Sequence, residues 1–175
     1  MAKYRHALPN LKESLFITDG GLETSLVFNE GMDLPEFAAF DLFKQSSGYE
    51  TLRNYFTDYA TIAKTHQTGY ILESPTWRAS RDWGQKIGYS PKDLKEINRL
   101  SIAMLEEIRS QMEDKKTPMV ISGNIGPRGD GYTVADEMTV RQAQQYHSEQ
   151  IRTFSETEAD MVSAFTINYV DRSEE

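Results

Sequence analysis

Four short apolar runs, separated by long stretches with helical periodicity, constrain this chain more than any other feature. Leu15–Thr18, Tyr70-Ile71-Leu72, Pro118–Ser122 and Met161–Phe165 read as short buried strands bounded by turn residues. Between the first two, Tyr49–His66 carries Leu52, Tyr55, Phe56, Tyr59, Ile62, Ala63 and His66 at helical spacing, with Gly69 placed to stop the helix. Ser90-Pro91-Lys92-Asp93 opens a second helix with an N-cap residue, a proline in the first turn and an early acid. The core face of that helix is Leu94, Ile97, Leu100, Met104, Leu105, Ile108 and Met112. Thr139 and Gln142 have capping-box spacing ahead of a third helix, whose inner face is Val140, Ala143, His147, Ile151 and Phe154. Such alternation predicts an α/β fold of parallel strands joined by right-handed crossovers. The units recur at about 40 to 55 residues because the loops after the strands are long, and an α/β barrel builds its active site from such loops. A barrel of that kind needs eight strands and about 250 residues. Residues 1–175 supply about four βα units, and so read as the N-terminal half of a TIM-type (β/α)8 barrel. A complete four- or five-stranded open sheet is the alternative. No linker or low-complexity stretch divides the series.

Composition narrows the function classes. A hydrophobic fraction of 38% and a charged fraction of 26% describe a soluble globular protein, and no apolar run approaches the roughly 20 residues of a membrane span. The start, Met1-Ala2-Lys3-Tyr4-Arg5-His6, lacks the apolar segment of a secretory signal. A net charge of −8 without a basic cluster argues against nucleic acid as a partner. The absence of cysteine removes any disulfide framework and any thiolate metal ligand, in keeping with a cytoplasmic setting.

The most suggestive motif is Asp19-Gly20-Gly21-Leu22-Glu23-Thr24, at the end of the first strand. Two glycines there permit a tight turn and a close approach of a ligand to the backbone, and strand C-termini are where α/β proteins bind ligands. An ordinary strand-ending turn fits the same residues. The glycine-rich loop Gly123–Tyr132 lacks the phosphate-loop pattern, and Asp130 would repel an anion, so it reads as a substrate-side loop over the strand ends. Trp77 and Trp83 offer faces to a cationic ligand, or else Trp83 packs beneath its loop. His6, His66 and His147 read as tail or core histidines, and Asp33, Glu36 and Asp41 as solvated loop charges.

These motifs, taken in order, resemble the homocysteine S-methyltransferase family. The resemblance rests on Asp19–Thr24, Gly69–Ser80, Ser122–Tyr132, His147 and Glu158–Thr166. It implies an eight-stranded α/β barrel that transfers a methyl group to the thiol of homocysteine, giving methionine. It also implies zinc held by three cysteine thiolates on the sixth and eighth strands, with the fourth position open for the substrate sulfur. This chain ends just past the fourth strand and offers no such ligands, so no metal-binding or catalytic residue is assigned here. By the same resemblance, Asp19, Gly20, Gly21, Glu23, Thr24 and Thr166 line the homocysteine pocket, Asp19 and the turn amides holding its amino-acid end. A helix-capping role is the alternative for Glu23. Many family members carry Glu-Thr at the end of the fourth strand; Phe165-Thr166 stands here, leaving Thr166 to donate a hydrogen bond. The expected partners are homocysteine and a methyl donor, and the isolated chain is expected to be inactive. The alternatives are a non-catalytic half-barrel, which forms a homodimer or complements a separate C-terminal half, and a metal-free amino-acid pocket.

Overall fold

A computed structural model describes residues 2–12, 14–133 and 137–167. Its four strands, β1 (Phe16–Ile17), β2 (Gly69–Glu73), β3 (Met119–Ile125) and β4 (Met161–Ala164), form one parallel sheet in sequence order. Phe16 lies opposite Gly69, Glu73 opposite Ser122, and Asn124 opposite Ser163. The connections run through α1 (Leu22–Thr24), α2 (Ser46–His66), α3 (Arg81–Lys86), α4 (Pro91–Met112) and α5 (Val140–Ser155). The expected parallel α/β order is therefore present.

One face of the sheet is covered by helices. Tyr70, Leu72, Met119 and Ile121 pack with Leu52 and Phe56 of α2, Ile102 and Leu105 of α4, and Phe154 of α5 in a single buried cluster. Each such side chain contributes about 1.5–3 kcal/mol on leaving water. Alternate strand residues face the other way, and toward the C-terminal strand ends they are polar: Ser122 and Ser163 share a hydrogen bond of 2.8 Å, and Ser163 donates to Glu73 at 2.9 Å. That polar face leads up to the cavity described below.

Local signals account for the helix starts. Ser90 and Asp93 form a reciprocal capping box at α4, and Thr139 and Gln142 form one at α5. At the opposite end of the sheet, the Arg109 guanidinium donates to Asp160 at 2.6 Å, and the same carboxylate accepts the Ile121 and Tyr4 amides. Arg5 donates to the carbonyls of Ser155, Thr157 and Ala159, closing the C-terminal end of α5 with a cation.

Several expectations are corrected. Helix α2 is stopped by Gln67, left-handed at φ 53°, whereas Gly69 opens β2 because a Cβ there would meet the Phe16 ring at 2.3 Å. Ile62 and His66 are exposed, since the buried stripe of α2 runs through Leu52, Phe56, Ala60 and Ala63. Leu100, Val140 and Ile151 are likewise exposed, at the edges of their helix faces. Strand β3 continues to Ile125, so Gly123 and Asn124 belong to the sheet; Gly123 admits the Phe154 ring where a Cβ would lie 2.5 Å away. Asp41 accepts a hydrogen bond from Tyr89 at 2.8 Å and pairs with Lys44, so it is more than a solvated charge.

Candidate functional site

The C-terminal ends of the four strands surround a cavity of about 600 Å³. Its walls come from the turn after β1, the ends of β2 and β3, the loop that follows each of these, and Phe165-Thr166 after β4. Asp19, Gly21, Glu23, Thr24 and Thr166 all line it, so the structure brings five of the six expected residues together. Gly20 stands outside the lining. A Cβ there would lie 2.5 Å from the Tyr59 hydroxyl, so its role is close packing of the turn against α2.

The turn is built around Asp19. Its Oδ2 accepts from the Tyr55 hydroxyl at 2.9 Å and from the Gly21 amide at 3.3 Å. Gly21 has φ 107°, a conformation that L side chains rarely adopt, and this is the physical need for glycine there. One turn amide is thus already engaged by the motif's own carboxylate. The Asp19 charge and burial hold the Tyr55 phenol well above its ordinary range, burial being the larger cause.

Two further carboxyls face the same space. Glu23 lines the cavity, and its carboxyl also meets its own backbone amide in the first turn of the short helix. Burial pushes its carboxyl up to about 7, with the Asp19 charge adding to the rise and Arg78 opposing it. Glu73, at the end of β2, is only 6% exposed. Burial pushes it also up to about 7, against the pull of the Ser122 and Ser163 hydroxyls. Its Oε2 is buried with no hydrogen-bond partner, as is Asn124 Oδ1 on the adjacent strand. Both acids can therefore hold or release a proton near neutrality, and an arriving cation would favour their charged forms.

Thr166 and the tryptophans differ from expectation. Thr166 Oγ1 accepts from Trp77 Nε1 at 3.1 Å and donates to the Phe165 carbonyl at 2.7 Å, so its proton is already engaged within the chain. Arg78 lies 3.9 Å from the Trp77 ring centroid and 3.6 Å from that of Trp83. It thus occupies a face of each indole that a cationic donor would otherwise use. Trp83 is buried and donates to the Pro127 carbonyl at 3.0 Å, which places it beneath the β3 loop. In that loop Arg128 pairs with Asp82 at 2.8 Å, and Asp130 accepts the Tyr132 and Thr133 amides, so the loop is ordered by its own groups.

Sequence reasoning missed Glu73 and Arg78 as site residues. Both stand in the quoted Gly69–Ser80 segment, but only the strand register and the loop path turn them toward the cavity.

The model of the homocysteine S-methyltransferase family matches residues 16–174, and the chain belongs to that family. Among solved structures, the fold is shared with the homocysteine methyltransferase MmuM from Escherichia coli. Its oxidized form aligns with a TM-score of 0.70 and 18% identity, over 91% of this chain and 55% of that one. The metallated form aligns with a TM-score of 0.70 and 15% identity, over 97% and 59%. The chain therefore spans little more than half the length of these structures, as a partial TIM-barrel-like fold. No curated protein matches it in sequence.

The donor set does not fit a thiolate-held zinc. The chain has no cysteine, and among the described residues no group of three or more His, Asp or Glu is arranged to hold a metal ion. His147 is buried on α5 against Tyr146, and His66 is exposed at the far end of α2. The cavity itself presents carboxylates, hard oxygen donors of a different chemistry.

Proposed function

We propose that this chain supplies the amino-acid-binding part of a homocysteine S-methyltransferase site, which transfers a methyl group to the homocysteine thiol to give methionine. The observation that carries the reading is the cavity at the strand ends, with Asp19, Glu23 and Glu73 in its wall. Such acids receive an ammonium group, and Asp19 is pre-oriented for this by Tyr55. The apolar parts of the cavity, Phe28, Phe37 and Phe165, suit a thioether or thiol side chain.

Activation of the sulfur requires something more. A free thiol has a pKa of about 8.5 and reacts as thiolate. Neighbouring carboxylates raise that value further, so this cavity by itself favours the unreactive thiol. The zinc thiolate centre implied by the family resemblance must then be contributed from outside residues 1–175. The chain alone binds substrate without turnover.

Methyl transfer and bound zinc, measured on this chain alone and again with a cysteine-bearing C-terminal half added, test the reading. Activity and zinc in the mixture only are the expected result. Calorimetry on the chain alone should show heat with homocysteine and methionine; silence with both would remove the amino-acid site.

A further inference from the structure

We propose that Arg78 is the receptor for the carboxylate of the amino-acid substrate, the group that selects an α-amino acid over an amine. The proposal rests on the reading of the cavity as an amino-acid site and adds to it a specificity-determining residue.

Arg78 is 7% exposed and lines the cavity, yet no carboxylate pairs with it among the described residues. Its exposed neighbours contrast with it: Arg81 pairs with Glu149 and Arg128 with Asp82. Among the described residues, the single hydrogen bond of the Arg78 side chain runs from Nη1 to the Gly129 carbonyl at 3.2 Å. Nε is buried without a partner, and Nη2 donates to none of the described groups. These two donors form one edge of the guanidinium, the edge that takes both oxygens of a carboxylate side by side. A guanidinium cannot escape burial by losing its proton, and the acids that act on it, Asp130, Glu23 and Glu36, do so without pairing with it, so a direct partner for the fork is still called for.

The fork is also held rigid. Trp77 and Trp83 lie against it, with Trp77 tied to Thr166 and Trp83 to Pro127. Gly126 and Gly131 make this packing possible, since a Cβ at Gly126 would lie 2.4 Å from the Trp77 carbonyl, and at Gly131 2.9 Å from Thr166 Oγ1. A fork pre-oriented in this way loses little freedom when it binds.

The surrounding charge decides which anion fits. Asp130, Glu23 and Glu36 all act on Arg78 electrostatically, so a dianion such as phosphate is repelled. A zwitterion is not, because its ammonium can face Asp19, Glu23 or Glu73 while its carboxylate meets Arg78. Among the turn amides that could also meet that carboxylate, the one of Gly21 is occupied by Asp19.

The experiment titrates the chain at pH 7 with L-methionine and with L-methioninamide, which keeps the ammonium and side chain but lacks the carboxylate. Calorimetry reads affinity, and tryptophan emission reads the Arg78 environment, because the only two tryptophans of the chain are Trp77 and Trp83. The expected result is methionine binding at least about tenfold tighter than the amide, with an emission change for methionine. Arg78→Gln should abolish this preference, and Arg78→Lys should restore it in part, since an ammonium keeps the charge but not the fork. Equal wild-type affinity for the two compounds, or wild-type methionine affinity in a folded Arg78→Gln, overturns the assignment while leaving the amino-acid site standing. No binding of either compound to the wild type overturns both. If Arg78→Gln does not fold by circular dichroism, the wild-type comparison decides alone.

Discussion

Glu73 is buried at the end of a strand with one oxygen unpartnered, and that placement has a cost that depends on pH. Its folded-state value of about 7 stands above the ordinary 4.5, so the folded chain holds this proton more tightly than the unfolded one. The resulting stabilisation is full below about pH 4.5 and is lost as pH rises through about 7. Glu73→Gln, neutral at every pH, should therefore match the wild type at pH 4 and exceed it at pH 8 by up to about 3 kcal/mol. Urea unfolding at the two pH values checks this; equal stability at pH 8 would show that burial does not raise the carboxyl's value. Binding has the opposite dependence. A ligand ammonium prefers charged Glu73 and Glu23, so methionine affinity should rise from pH 6 to pH 8, with proton release on binding visible in calorimetry across buffers of different ionisation heat. Gly21 offers a second residue-level test. At φ 107°, Gly21→Ala should cost about 1–3 kcal/mol and weaken ligand binding through the displaced turn.

At the level of elements, the sheet and helices are joined by one buried ion pair at the end remote from the cavity. Asp160 enters β4, receives the Arg109 guanidinium of α4 at 2.6 Å, and accepts two backbone amides, one from β3 and one from the N-terminal segment. Asp160→Ala leaves Arg109 charged and buried, for a predicted loss of about 3–5 kcal/mol. The change in thermal midpoint measures it, and a loss under 1 kcal/mol would mean that water reaches Arg109. Gln150 has a similar linking role nearer the site: its amide donates to the Thr76 carbonyl and to Asn98 of α4, tying α5 and α4 to the loop that carries Trp77 and Arg78. Gln150→Ala should thus weaken methionine binding severalfold without touching the ligand, a positioning effect that calorimetry separates from the loss at Arg78.

Across the whole molecule, the sheet has β1 at one edge and β4 at the other, each paired on one side only among the described residues. Val162 and Phe165 are exposed at the β4 side. Unpaired edges invite pairing with another chain. We therefore expect the isolated chain to associate as a homodimer, and a cysteine-bearing C-terminal half to displace that partner in a one-to-one complex. Light scattering with and without the added half reads the outcome; a monomer that stays soluble at high concentration sinks the expectation. Among the described residues no helix is long and apolar enough to cross a membrane.

What was legible in the sequence was whatever repeats with a period or is capped by near neighbours. The four strands, the helices α2, α4 and α5, the Ser90 N-cap and the Thr139-Gln142 capping box follow from apolar spacing and from interactions three residues apart that need no other part of the chain; that Asp93 completes a second box is seen in the structure. The short α3 is not legible in the sequence, because six residues give too little periodicity to detect. The Asp19–Thr24 turn was readable as well, since two glycines directly after an apolar run mark the end of a strand. Glu73, Asn124 and Arg78 were not. Each depends on a register between strands or on a loop path fixed by contacts distant in sequence: Glu73 with Ser163, Asn124 with the Ser74 hydroxyl, Arg78 with Gly129. The sequence by itself determined that parallel strands and helices alternate and where a glycine turn ends the first strand. Only the tertiary structure decided which carboxyls and which guanidinium share the cavity with that turn, because burial and orientation are properties of the packed sheet and not of any single segment.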